Sequence, residues 1–99
     1  MNSTQSYTVT RTYSEISGFQ KYAEDSYSLS QDGELIIAEY RSISEGSEES
    51  ERISITGISF EKCKKLLQFM SENAMRRGEW IEYIDDYCFE ISAKIMVLS

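Results

Sequence analysis

The sequence predicts one α+β domain, in which an antiparallel sheet of three to five strands packs one face against a long helix. Three observations lead to this prediction: alternating, extended segments in the first half of the chain, an Asp32-Gly33 pair, and a change to helical spacing of the apolar residues after residue 59. With 99 residues, of which 40% are hydrophobic, the chain can bury one core without metal or disulfide staples.

The first elements are predicted to be a disordered tail and a strand. Residues 1–5 are polar and carry no pattern of secondary structure, so we expect a tail there. Residues 6–13 alternate aromatic, apolar and basic side chains with threonines, a pattern typical of a strand. The absence of a basic region followed by an apolar region at the start favours a cytoplasmic protein over a secreted one.

The Asp32-Gly33 pair predicts a hairpin with a two-residue type I′ turn, because both central positions of that turn need a positive φ. If Gln31 faces Glu34, the residues that share one face of the ribbon are mostly apolar, and a shift by one position would destroy this separation. The residues on that face are Tyr27, Leu29, Ile36, Ala38 and Tyr40.

The next segment is rich in serine and glutamate. Residues 43–51 are therefore predicted to be an acidic surface loop. Residues 52–58 alternate again, with Ile53 and Ile55 on one face, which predicts a further strand.

A helix is predicted from about residue 60 to residue 77. Its apolar residues lie within about 120° of a helical wheel, a stripe of the width that packs on a sheet. Ser59 suits the N-cap and Gly78 suits the residue just after the helix. Leu67 and Met70, in the centre of the stripe, are expected in the core.

The rest of the chain is predicted to form a second, shorter helix at residues 79–88 and a last strand. The helix has an aromatic and aliphatic side and an acidic side. Residues 89–97 alternate apolar and polar side chains, and the β-branched residues among them favour a strand over the alternative, a continued helix.

The composition argues against the common catalytic and metal sites. The chain has no histidine, no Cys-x-x-Cys pair and no glycine-rich phosphate loop. Cys63 and Cys88 are expected to be buried, reduced thiols. Glu82 and Asp86 share a face of the second helix and are the best pair for carboxylate chemistry, but such pairs are usually solvated surface residues. We therefore predict no catalytic residue, no metal and no cofactor.

Charge is distributed unevenly along the chain. The net charge of −7 disfavours direct binding of nucleic acid. Residues 60–78 contain five bases and two acids, whereas residues 79–99 contain five acids and one base. An exposed Phe69 among cations would suit an anionic partner surface, unless another segment covers it. The predicted interaction surface comprises Lys62, Lys65, Phe69, Arg76, Glu79, Glu82, Asp85 and Asp86.

The second half of the chain also resembles a known family. An Ile58-Ser59 pair precedes Leu66 by a fixed spacing, and a short acidic segment ends in Ile84-Asp85-Asp86-Tyr87. This arrangement is similar to that of short bacterial proteins of unknown function from clostridia and their relatives. The resemblance implies a small N-terminal sheet, two C-terminal helices and a bacterial or phage origin, and it implies no site residues.

These observations predict a small, acidic, cytoplasmic protein that is not an enzyme and that binds or regulates another protein. One alternative is a phage or mobile-element inhibitor whose acidic face blocks a nucleic-acid-binding cleft. A second is a carboxylate-based enzyme or small-ligand binder. No membrane partner is expected, since the longest apolar run is far shorter than a span. Pairing of two copies through the open edges of the sheet would give a homodimer.

Overall fold

The computed structural model describes residues 5–13, 23–44 and 46–98. Within these ranges, five strands form one antiparallel sheet in the order β1-β2-β3-β4-β5, and two helices lie between β4 and β5 in the chain. The α+β class with an antiparallel sheet is thereby confirmed. The elements are β1 (Gln5–Tyr13), β2 (Ala23–Asp32), β3 (Leu35–Ser44), β4 (Ser47–Thr56), α1 (Phe60–Glu72), α2 (Glu79–Ile91) and β5 (Lys94–Leu98).

The predicted tail falls mostly outside the described residues. Residues 1–4 are not among them, and Gln5 is already the first residue of β1, where it pairs with Gln31 of β2. The predicted strand at residues 6–13 therefore begins one residue earlier than expected.

The turn between β2 and β3 lies one residue later than the predicted Asp32-Gly33 turn. Asp32 pairs with Leu35, so Gly33 and Glu34 are the central residues. Gly33 has a φ of +65°, and Glu34 is not among the residues with positive φ. A turn with glycine in the first central position requires a positive φ only there, which lets a glutamate follow. The register thus differs by two residues from the predicted one, and a shift of two keeps every side chain on its predicted face.

The predicted acidic loop at residues 43–51 is instead a second hairpin. β3 extends to Ser44, β4 begins at Ser47, and the pairing between them is continuous to the turn, where Gly46 has a φ of +74°. Glutamate and serine have low strand propensity, but the charges here have partners, since Glu48 Oε1 lies 3.3 Å from Arg41 Nε on β3. Pairing and charge neutralisation therefore outweigh local propensity.

One face of the sheet, which we call the inner face, carries the core, and both helices pack against it. Leu67 and Met70 of α1 are fully buried, as the spacing predicts. The sheet contributes Tyr27, Leu29, Ile36, Ala38, Tyr40, Ile53 and Ile55, and the helices contribute Phe60, Cys63, Leu67, Met70, Trp80, Ile84 and Cys88.

α1 begins where the sequence indicates and ends at Glu72 rather than at residue 77. At its start, Ser59 Oγ accepts the backbone N–H of Lys62 at 3.2 Å, which is the predicted N-cap. The helix has 13 residues, the same length as α2. The predicted combination of one long helix at residues 60–77 and a shorter second helix is therefore not confirmed, since two helices of equal length pack on the sheet.

The early end of α1 is a Schellman motif. The N–H of Met75 donates to the carbonyl of Met70 at 3.0 Å, and the N–H of Ala74 donates to the carbonyl of Ser71 at 3.2 Å. Ala74 adopts a φ of +52°, a conformation in which glycine is usual. Gly78, predicted to terminate this helix, has a φ of +82° and precedes α2 as its N-cap.

α2 continues to Ile91 and so includes the first residues of the predicted 89–97 strand. Ser92 then turns the chain with a φ of 60°, and the N–H of Ala93 donates to the carbonyl of Cys88 at 2.9 Å. Ile84 and Cys88 are buried one turn apart. Their contacts with the core hold the segment in a helix despite the strand propensity of the residues that follow.

β5 joins the sheet beside β4, and its start lies close to the end of β4. A Cβ atom built on Gly57, whose φ is +88°, would lie 3.3 Å from the Cα of Ala93. Glycine therefore permits the close approach of the chain that leads from α2 into β5. Neither of the helices in the described ranges has both the length and the apolar character needed to cross a membrane.

Candidate interaction surface

The inner face of the sheet ends in a polar cluster beneath the connection between α1 and α2. Asp25 on β2 is only 1% exposed, and its Oδ1 accepts the hydroxyl of Ser42 at 2.7 Å. Its Oδ2 accepts no hydrogen bond from the described residues, but it lies 3.7 Å from Nε of Arg76. Arg76, predicted to belong to a basic helix face, thus neutralises a buried carboxylate.

Tyr40 adjoins this cluster and links it to the aromatic part of the core. Its ring centroid lies 5.3 Å from that of Tyr27 and 6.1 Å from that of Trp80. Burial raises the pKa of Tyr40, a hydrogen bond with Ser42 acts in the opposite direction, and the negative charge of Asp25 adds to the rise. The phenol therefore stays protonated at neutral pH and serves as a structural hydrogen-bonding group.

Strand residues also hold the end of α1. Nη1 of Arg11 donates to the carbonyl of Ser71 at 3.0 Å and to that of Glu72 at 3.3 Å. The hydroxyl of Tyr27 donates to the carbonyl of Met75. These carbonyls follow or belong to the last turn of α1, where a cation is favoured by the helix dipole.

The glutamates of β4 hold the start of α2. Oε1 of Glu51 accepts the backbone N–H of Gly78 at 3.0 Å and the indole N–H of Trp80 at 3.1 Å. Oε1 of Glu49 lies 3.2 Å from Nη1 of Arg77. A carboxylate at a helix N-terminus is stabilised by the unpaired N–H groups and by the helix dipole. Two acids of the predicted surface loop thus anchor α2.

The basic part of the predicted interaction surface is divided by the structure. Lys62 and Lys65 are exposed on α1, as expected for solvated residues. Phe69 is 44% exposed and stacks on Tyr83 of α2, with ring centroids 5.2 Å apart and an interplanar angle of 20°. Tyr83 of a later segment therefore stacks on Phe69, and 44% of Phe69 stays exposed. Arg76 is separated from these residues because it pairs with Asp25.

The acidic part of the predicted surface stays together on α2. Four carboxylates lie along the side of α2 that faces away from the core, one or two helical turns apart, and Asp85 lies beside them. Glu79 is partly engaged, since its Oε1 accepts the backbone N–H of Arg76 at 3.3 Å. The four are Glu79, Glu82, Asp86 and Glu90, and all are exposed.

Phe89 is a surface residue that the sequence-based prediction missed. It is 86% exposed, the most exposed large hydrophobic residue in the part of the chain that the structure describes. It lies one helical turn after Asp85 and Asp86, on the same side of α2. The alternative prediction, a helix that continues into the 89–97 segment, would have placed Phe89 on the same side of the helix as Asp85 and Asp86. We call Glu82, Asp85, Asp86 and Phe89 the acidic-aromatic patch.

Other features that could take part in binding or in chemistry lie away from this patch. A shallow depression of about 340 Å³ on the outer face of the sheet is lined by residues such as Ser28, Ile37, Glu39 and Arg52. Within the described ranges, no three Cys, Asp or Glu side chains are grouped so that they could hold a metal ion.

The two cysteines are free and buried, as the sequence predicts. Burial raises the pKa of Cys63 to about 12, and the nearby Cys88 adds to the rise. Burial also raises the pKa of Cys88, and the charge of Asp85 adds to this effect. Because the thiolate is the reactive form, both thiols are chemically inert core residues at neutral pH.

Comparison with family models, with curated proteins and with solved structures finds no match to this chain. The resemblance to the clostridial family therefore stays a prediction.

Proposed function

We propose that this chain is a small, acidic, non-enzymatic module of the cytoplasm that binds another protein through the acidic-aromatic patch. The observation that carries the proposal is the 86% exposure of Phe89 beside three carboxylates on a well-anchored helix. Burying a phenylalanine side chain in a partner would contribute about 1.5–3 kcal/mol, which is typical of an interface anchor.

The chemistry of the patch defines the partner. Glu82, Asp85 and Asp86 lie in the two helical turns before the ring and on the same side of α2, which favours a groove with basic residues at its rim. The ring itself requires an apolar pocket at the centre of that groove. Recognition would follow the helix-in-groove mode, with α2 as the inserted element.

The anchoring of α2 supports this role. Both ends of the helix are held, by Glu51 at the start and by the pairing of β5 with β4 just after the end. A helix that is ordered before binding loses less conformational entropy on binding, so more of the contact energy contributes to affinity.

The alternative function, inhibition of a nucleic-acid-binding protein, is supported only by the four exposed carboxylates along the outward side of α2. Glu79, Glu82, Asp86 and Glu90 present carboxylates about 5–6 Å apart at each turn, which could compete with phosphates for a cationic cleft. The alternative of a carboxylate-based enzyme has less support, because Glu82 and Asp86 are exposed on the outward side of a helix and catalytic carboxylates usually lie in a cleft.

The experiment is affinity capture from the native host, with the captured partner then purified and its affinity measured by calorimetry. We expect Phe89→Ala to weaken binding by about 30-fold, which corresponds to a loss of about 2 kcal/mol at an interface anchor. The double reversal Glu82→Lys with Asp86→Lys should weaken it at least as much, because it replaces attraction with repulsion.

Matched controls lie on another part of the surface. Leu35→Ala removes an exposed apolar side chain, and Glu34→Lys reverses an exposed acid, both near the β2–β3 turn. These variants should bind like the wild type. The proposal is wrong if no partner is captured specifically, or if the controls weaken binding as much as the patch variants do.

The same measurements separate the two functions. A partner that loses affinity on charge reversal but tolerates Phe89→Ala, and whose binding falls steeply with salt, would indicate the nucleic-acid-cleft inhibitor.

A further inference from the structure

In the part of the chain that the structure describes, the last strand of the sheet has an open edge. β5 is the terminal strand in the order β1-β2-β3-β4-β5, and β4 is its pairing partner in the sheet. About half of its backbone N–H and C=O groups therefore point away from the sheet, because strand hydrogen bonds alternate between the two sides.

Apart from Lys94, the side chains of β5 are apolar on both faces of the sheet. Met96 on the outer face is 65% exposed, and Val97 on the inner face is 63% exposed. An exposed edge strand usually carries charged residues that discourage pairing with another chain. Residues 91–98 contain no acid, and Lys94 is their one base.

The opposite edge of the sheet differs. β1 carries threonines on its outer face and turns the charged Arg11 toward the inner face, where it binds the end of α1. Lys64 of α1 lies over the ring of Tyr7, with Nζ 5.0 Å from the ring centroid. Inward-pointing charge protects an edge, and β1 has it through Arg11. β5 has no inward-pointing charge, and Lys94 is its one charged residue.

We propose that two copies of this chain pair their β5 strands antiparallel about a two-fold axis, which joins the two sheets into one. An antiparallel edge is self-complementary, since the outward N–H and C=O groups of one copy meet those of the other. This surface is distinct from the acidic-aromatic patch, so the dimer and the proposed function are tested separately.

Charge favours the second copy at this edge. Each copy carries a net charge of −7, so two copies repel one another over most of their surface. Residues 91–98 carry no acid, so this repulsion is weak at the β5 edge. β1 is also free of acids, but its Arg11 points to the inner face and binds the end of α1.

The register follows from the length of the strand. If all five residues, Lys94–Leu98, pair with the same five residues of the second copy, the two-fold axis passes through Met96. Met96 of one copy then faces Met96 of the other. Ile95 then faces Val97 of the second copy, which extends the apolar inner face beyond Ile53 and Ile55. Lys94 faces Leu98 of the second copy, so no like charges oppose each other.

A cysteine placed on the axis tests the register. Directly opposed residues in an antiparallel pair have Cα atoms about 4.5–5.5 Å apart, within the range that a disulfide spans. With oxidised glutathione as the oxidant, the two Met96→Cys thiols should form one interchain disulfide and release two reduced glutathione molecules. We expect a covalent dimer on a non-reducing gel, with little background because Cys63 and Cys88 are buried.

Two controls make this result specific. Leu98→Cys shares the strand and the outer face but should remain unlinked, because in this register each Leu98 faces Lys94 of the other copy. Leu35→Cys, at the β2–β3 turn, measures random collision. The proposed register is wrong if Leu98→Cys links as readily as Met96→Cys or if Met96→Cys links no faster than Leu35→Cys.

Light scattering on the unmodified chain tests the dimer itself. Between about 1 µM and 1 mM, a range that covers weak to moderate interfaces, the mass should rise from 11.4 kDa to twice that value. Met96→Lys should remain a monomer with unchanged thermal stability, and Leu35→Lys should dimerise like the wild type. A wild type that stays monomeric, or that grows beyond a dimer, would overturn the proposal, as would equal loss in both lysine variants.

Discussion

At the scale of single residues, Glu51 shows how one side chain joins distant parts of the fold. Its Oε1 accepts an N–H from Gly78 and another from the indole of Trp80, which is itself fully buried. The strand that carries Glu51 pairs with β3, so the carboxylate connects the start of α2 directly to the sheet. Without it, the indole N–H would have to find another acceptor inside the protein.

Glu51→Ala should lower the free energy of unfolding by about 1.5–3 kcal/mol, because it removes hydrogen bonds to a charged acceptor and leaves the indole N–H unpaired. Urea unfolding followed by tryptophan fluorescence measures this change. Glu48→Ala is the control, since it breaks only the exposed contact with Arg41 and should cost less than about 1 kcal/mol. Equal effects of the two substitutions would contradict the role of Glu51.

At the scale of elements, the boundary between α1 and α2 depends on two residues in left-handed conformations. Ala74 has a φ of +52° and closes the Schellman motif, and Gly78 has a φ of +82° and precedes α2. Between them, Arg76 turns toward Asp25 and Arg77 toward Glu49. The connection therefore directs Arg76 and Arg77 toward acids of the sheet and then starts a new helix. In a continuous helix, neither arginine would be directed toward its acid.

Ala74→Gly should raise the free energy of unfolding by about 0.5–1 kcal/mol, because glycine adopts the left-handed conformation without the steric cost that alanine bears. The midpoint of urea unfolding, at unchanged slope, reports this gain.

Gly78→Ala is the converse substitution, because it places alanine where the backbone has a positive φ. No atom lies within 4 Å of a Cβ built there, so the change adds backbone strain alone and should destabilise by about 1 kcal/mol. If both substitutions shift the stability in the same direction, the left-handed assignments are wrong.

At the scale of the whole molecule, the sheet binds both helices at their adjoining ends. Arg11 of β1 and Tyr27 of β2 hold the end of α1, and Glu49 and Glu51 of β4 hold the start of α2. The apolar halves of both helices then close the core over the centre of the sheet. The acidic side of α2 and the edge of β5 lie at the surface of the described residues, and these are the surfaces that we propose for partners.

Leu67→Ala should lower the free energy of unfolding by about 2–5 kcal/mol, the usual cost of truncating a fully buried leucine. Chemical denaturation measures the loss, with Leu35→Ala, a 42% exposed residue, as a control that should change stability by less than about 0.5 kcal/mol. A loss below about 1 kcal/mol at Leu67 would mean that α1 does not close the core as described.

Much of the fold follows from local patterns, but little of the site does. The buried faces of β2 and β3, around Leu29 and Ile36, follow from alternation. An error of two residues in the predicted register leaves these faces unchanged. Phe89, in contrast, lies in a segment whose alternation and β-branched residues favoured a strand, whereas the structure continues α2 to Ile91 and so exposes Phe89. Phe69 is exposed as expected, but the sequence cannot show that Tyr83 of α2 stacks on its ring.

The sequence by itself determined the α+β class, the buried faces of β2, β3 and the second half of β4, and the N-cap of α1 at Ser59, because periodicity and capping act between residues close in the chain. The tertiary structure alone decided where α1 ends, that residues 47–51 pair as a strand, and that α2 extends to Ile91. Each of these outcomes depends on partners far away in the chain, such as Glu51 for Trp80, and no local spacing encodes such a contact.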